Sequence, residues 1–115
     1  MLFEPLRNQR PQDINSILNL IDTEYARYYS ELEQYGIPRS MIRRIFEIAV
    51  SYAMRNQEYY SGTAEQKTSL IMNNFRIDSV GSFSTLRGFG VPNSRIDKII
   101  SDIIRFTLIS LTSPP

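Results

Sequence analysis

Two stretches of this chain, YGIPRSMIRRIF (Tyr35–Phe46) and FGVPNSRIDKII (Phe89–Ile100), carry nearly the same pattern 54 residues apart. Gly36 matches Gly90, Pro38 matches Pro92, Ser40 matches Ser94, Ile42 matches Ile96, and Ile45 matches Ile99. Tyr35/Phe89, Ile37/Val91 and Arg44/Lys98 keep the chemistry while changing the residue. Glycine accepts the left-handed conformation that closes a helix, and proline is tolerated in the first turn of the next one. Each stretch therefore reads as a helix end, a tight turn and a new helix.

The flanking residues extend that reading. Ile14, Leu18, Ile21, Tyr25, Tyr28 and Leu32 are spaced four and three apart, the seam of an amphipathic helix from Asp13 to Gln34. A second helix is expected from near Pro38 to about Tyr60, with Ile42, Ile45, Phe46, Ala49, Tyr52 and Ala53 inward. Thr63 with Gln66 resembles a capping box that opens a third helix through about Phe75. RIDSVGS (76–82) then interrupts it, Ser82 is placed to cap a short helix through Leu86, and Gly88–Gly90 make the turn. The last helix is expected from about Asn93 to Leu111, with Ser94 and Asp97 as a capping box. No stretch alternates with the period of a strand. The expected fold is all-α: a small bundle of about four long helices plus one short helix. It forms a single domain over residues 1–115, built as two related hairpins, 13–60 and 63–111. Residues 1–11 read as an irregular arm and 112–115 as a tail.

Composition limits the chemistry. There is no cysteine and no histidine, which removes thiol nucleophiles, disulfides, the commonest metal ligand and the commonest general base. Asp22/Glu24 and Glu31/Glu33 are two apart on a helix, so each pair points to different faces and is expected to be solvated. An enzyme is not expected, nor a metal or cofactor. No secretory leader and no apolar run of bilayer length is visible, so a cytoplasmic protein without membrane contact is expected.

The net charge is only +1, yet it is unevenly placed. Residues 39–55 carry Arg39, Arg43, Arg44 and Arg55 against Glu47, while residues 1–38 carry six acids against three bases. Positive charge follows the repeated stretch. A glycine, a plug residue and two isoleucines six and nine positions after the glycine resemble a helix-turn-helix, with the intervening positions left outside. Arg39, Ser40, Arg43 and Arg44 in the first copy, and Asn93, Arg95 and Lys98 in the second, are then candidates for contact with phosphates or base edges. Leu86–Gly90 also resembles the hairpin of a helix-hairpin-helix, but Asp97 stands where that motif places an apolar residue. The leading expectation is a small nucleic-acid-binding protein, with DNA or another nucleic acid as partner, carrying tandem helix-turn-helix-like units. The alternative is a helical-bundle protein that oligomerises or docks on a protein partner. Tyr29, Tyr59 and Tyr60 are its candidate interface residues. Ile104 and Leu108 join them, because they add a second apolar stripe to the last helix and imply either a central helix or a subunit interface.

Overall fold

Asp13 begins the first helix by accepting a hydrogen bond from the Ser16 amide at 2.7 Å, which satisfies one of the donors that a helix N-terminus leaves free. The computed structural model describes residues 13–112. The arm expected over residues 1–11 and the tail beyond Thr112 lie outside the described residues. Among the described residues six α-helices follow one another and no strand occurs. They are α1 (Ile14–Glu24), α2 (Ala26–Glu33), α3 (Arg39–Asn56), α4 (Ala64–Asp78), α5 (Val80–Gly88) and α6 (Asn93–Thr112). A short 3-10 turn, Gln57–Tyr59, extends α3.

The helix expected over 13–34 is in fact two. Tyr25 leaves helical geometry, at φ −121° and ψ 33°, and divides α1 from α2. Both tyrosines that follow the break lie in α2, and being consecutive they point about 100° apart, toward different partners. Tyr28 reaches Asp102 of α6, while Tyr29 packs edge-on against Phe46 of α3 with ring centroids 5.2 Å apart. Ser79 makes the equivalent break between α4 and α5, at φ −123° and ψ 46°. Consequently α4 runs on to Asp78, α5 starts at Val80, and Ser82 is not a cap. It is buried and shares a hydrogen bond with the Ser79 hydroxyl at 2.9 Å. The capping box of Thr63 and Gln66 is present. That expected of Ser94 and Asp97 is not, because α6 already begins at Asn93, and the Arg95 and Ile96 amides donate to the carbonyl of Pro92.

Offsets of 54 residues recur throughout. The breaks at Tyr25 and Ser79, the helix starts Ala26 and Val80, and the starts Arg39 and Asn93 all differ by that number. Gly36 and Gly90 both take positive φ, 90° and 99°, in the turns before α3 and α6. Buried side chains pair in the same way: Ile17/Ile71, Ile21/Phe75, Leu32/Leu86, Ile37/Val91, Ile42/Ile96 and Val50/Ile104. Helices α3 and α6 pack on each other, with α1 against α3 and α4 against α6. The second apolar stripe of α6 is thereby explained, since Ile100, Ile104 and Leu108 are all buried within the chain. Each such aliphatic side chain removed from water contributes about 1.5–3 kcal/mol.

Candidate functional site

The cations of the repeated stretch lie in the first two turns of α3 and α6, the region a groove-reading helix would use. Their neighbours are carboxylates. Arg43 donates through Nε to Asp22 and through Nη2 to the Asn19 side-chain oxygen, both at 3.2 Å. The Arg39 guanidinium lies 4.1 Å from the centre of the Tyr29 ring and 3.9 Å from Glu33. Arg44 pairs with Glu47 one turn along its own helix, at 3.1 Å. In the second stretch Arg95 grips Glu31 with two parallel hydrogen bonds of 2.8 and 2.7 Å, and Lys98 pairs with Asp102 at 3.3 Å. Ser40 and Asn93 are exposed beside them.

The arrangement is one of structural pairing. Tyr29 is completely buried and donates its hydroxyl to Asp22 at 2.6 Å, so Asp22 serves a core phenol and an arginine at once. Burial, followed by the hydrogen bond to Asp22, pushes the Tyr29 phenol far above its ordinary range. Tyr28 behaves alike: burial and its 2.5 Å bond to Asp102 push its phenol up to about 12. Tyr52, bonded to Asp78 at 2.6 Å, is likewise pushed up by burial to about 12. The hydrogen bonds from Arg95 hold the Glu31 carboxyl below the usual carboxylate range.

Three corrections follow for the expected site residues. Asp22 and Glu31 are not idle solvated charges but partners of Arg43 and Arg95. Tyr29, Ile104 and Leu108 are buried inside the chain and present nothing to a partner. Of the two remaining candidate tyrosines, Tyr59 is 77% exposed, whereas Tyr60 packs against the core and accepts a hydrogen bond from Asn74. Asp22 and Tyr29 are seven residues apart, two turns of the single helix expected over 13–34, and they still meet although the chain breaks between them at Tyr25. No local signal could reveal Glu31–Arg95, which are 64 residues apart.

An open groove of about 470 Å³ lies between α3 and the kinked α4–α5 segment, with Met41, Ile45 and Ile48 on one side and Ser79, Gly81 and Thr85 on the other. Among the described residues no group of three acidic side chains converges as a metal site would require. None of the described helices is long and apolar enough to cross a membrane. No protein-family model, no curated protein and no solved structure matches this chain.

Proposed function

We propose that this chain is a non-enzymatic helical interaction module, built from two copies of one hairpin over 13–60 and 63–111, that works through protein–protein contact. The observation that carries this is the pairing of the motif cations. Arg39, Arg43, Arg44, Arg95 and Lys98 each lie within 4 Å of a carboxylate of this same chain. To contact a phosphate, each would have to leave that partner, and the released carboxylate would then face the phosphate at close range. Such an exchange weakens the electrostatic attraction on which nucleic-acid binding depends. The two-copy design is supported by the recurring breaks, turns and buried pairs at the 54-residue offset. The lack of histidine and cysteine supports a non-catalytic role.

Titration of a labelled DNA duplex with the full chain tests the proposal. The expected result is no saturable binding at low salt. A nucleic-acid protein making many phosphate contacts would bind there and lose about a thousandfold or more between about 50 and 200 mM salt. Such a dependence, removed by Arg43→Ala with Arg44→Ala, would overturn the interaction role and reinstate tandem DNA-contacting units.

A further inference from the structure

If one hairpin is built twice, residues 54 apart occupy corresponding places, and each half serves as a control for the other. The offset pairs α2 with α5, and the two keep matching apolar anchors: Tyr29 and Leu32 in α2, Phe83 and Leu86 in α5, all buried. Their polar attachments differ. Helix α2 is tied to three others, through Tyr28 to Asp102, Tyr29 to Asp22, Glu31 to Arg95 and Glu33 to Arg39. The places of those four side chains in α5 hold Ser82, Phe83, Thr85 and Arg87. Among the described residues none of them hydrogen-bonds or ion-pairs with another helix. Ser82 shares its hydrogen bond with Ser79 at the break, and Arg87 turns back to Ser84 within α5. Three of the partners are replaced as well: Ile48, Met41 and Asn93 stand where Asp102, Arg95 and Arg39 hold α2.

Helix α5 is also weak by itself. It has nine residues, and isolated helices shorter than about 12–15 residues are marginal in water. Gly81 and Gly88 stand in it where the first half has Arg27 and Gln34. Glycine disfavours a helix, and a Cβ added at either position would meet nothing within 4 Å, so packing does not demand glycine there. Both ends are already bent. Ser79 has left helical geometry at φ −123°, and Gly90 takes a φ of 99°. Along one side lies the open groove, for which Gly81, Ser82 and Thr85 form a wall.

We infer that α5 is a releasable segment: between Ser79 and Gly90 it leaves its seat on α4 and α6 and unwinds while the other helices stay folded. Local openings of this kind occur in segments with few ties to their surroundings. What resists the opening is apolar, namely Phe83 against the Phe75 ring, with centroids 5.8 Å apart, and the buried Leu86. Release removes one wall of the groove and takes Phe83 away from Phe75, which is fully buried in the closed chain and then keeps Tyr52 as its ring neighbour. An apolar surface is thereby covered in one state and bare in the other. Helix α2 does not share this device, because its departure would break four polar attachments together. The inference concerns the fold, and it stands whether or not the protein-interaction role does.

Amide hydrogen exchange of the full chain, followed residue by residue by NMR, is the test. After correction for intrinsic rates, the amides of 84–88 are expected to exchange at least about tenfold faster than their counterparts 30–34, since each missing hydrogen bond accounts for about two- to tenfold. Gly81→Ala is expected to slow 84–88 about two- to fivefold through helix propensity alone. Ser82→Tyr with Ile48→Asp rebuilds the bond of Tyr28 with Asp102 and is expected to slow them about tenfold. Arg43→Ala removes a bond between α1 and α3 that survives the release of α5. It should therefore speed the most protected amides of the chain and leave 84–88 unchanged. Equal protection of 84–88 and 30–34 in the wild type overturns the inference. So does an Arg43→Ala variant in which 84–88 speed up as much as the most protected amides, because exchange would then proceed through unfolding of the whole chain.

Discussion

Arg43 holds Asp22 at 3.2 Å across α3 and α1, and 54 residues later the same two places are joined with the charges exchanged, Asp97 accepting from Arg76 at 3.4 Å. Even the supporting amide is retained: Asn19 accepts from Arg43, and its counterpart Asn73 accepts from Arg76. With Arg43 in one place and Asp97 in the other, a charge pair is kept both between α1 and α3 and between α4 and α6. In the sequence alone, the same difference made the first copy look like the basic, nucleic-acid-facing one.

Exchange of that bridge gives a direct stability test. Arg43→Asp places a second carboxylate beside Asp22 and is expected to destabilise the chain by about 1 kcal/mol, the upper range for partly exposed pairs. Adding Asp22→Arg restores opposite charges but strands the Tyr29 hydroxyl. Adding Tyr29→Phe as well completes the second-half set of Arg76, Asp97 and Phe83. Urea unfolding should show stability falling in the single variant and recovering in the triple one. A triple variant no more stable than the single one would mean that the two bridges are not interchangeable.

The two turns should be limited by backbone conformation alone. Gly36 and Gly90 hold φ of 90° and 99°, and an added Cβ meets nothing within 4 Å at Gly36 and only the Tyr35 ring, at 3.9 Å, at Gly90. Gly36→Ala and Gly90→Ala are each expected to cost about 1–2 kcal/mol, the penalty of a left-handed L-residue. Thermal unfolding of the two variants should give closely similar losses. A much larger loss at either position would point to a steric clash rather than backbone strain.

Stability should fall at both ends of the pH scale, for opposite reasons. Glu31 titrates lower in the folded chain than unfolded, chiefly through its hydrogen bonds from Arg95. Its contribution is present above the unfolded value of 4.5 and lost as pH falls through the folded one. Tyr28 and Tyr52 titrate higher when folded, at about 12 against 10, so their contribution is complete below pH 10 and lost between those values. Unfolding midpoints measured against pH should drop below about 4.5 and above about 10. Glu31→Gln should flatten the acid limb and Tyr28→Phe the alkaline one, and unchanged limbs would remove these groups from the account.

Much of the helical plan was legible because it depends on local spacing. The seams of α1 and α3, the Gly36 and Gly90 turns and the Thr63 cap involve residues within one or two turns of each other. The breaks at Tyr25 and Ser79 were less visible, because neither residue is a helix breaker. The break at Tyr25 sets the direction of α2, from which Tyr28 reaches α6 and Tyr29 reaches α3. The groove gave no local signal either, because its walls come from positions 41–48 and 78–85 and meet only when α3 packs beside the α4–α5 segment.

By itself the sequence determined the helical seams, the two glycine turns and the likeness of the stretches around them, since periodicity and the conformational limits of glycine and proline act within a few residues. Only the tertiary structure decided what the charges do. Arg95 meets Glu31 across 64 residues and Arg43 meets Asp22 across 21, and a cation's partner depends on which helices pack together. Packing also decided that Ile104 and Leu108 belong to the core while Ile77 and Val80 remain outside. Hydrophobicity alone cannot make that distinction, because burial depends on which face of each helix its neighbours cover.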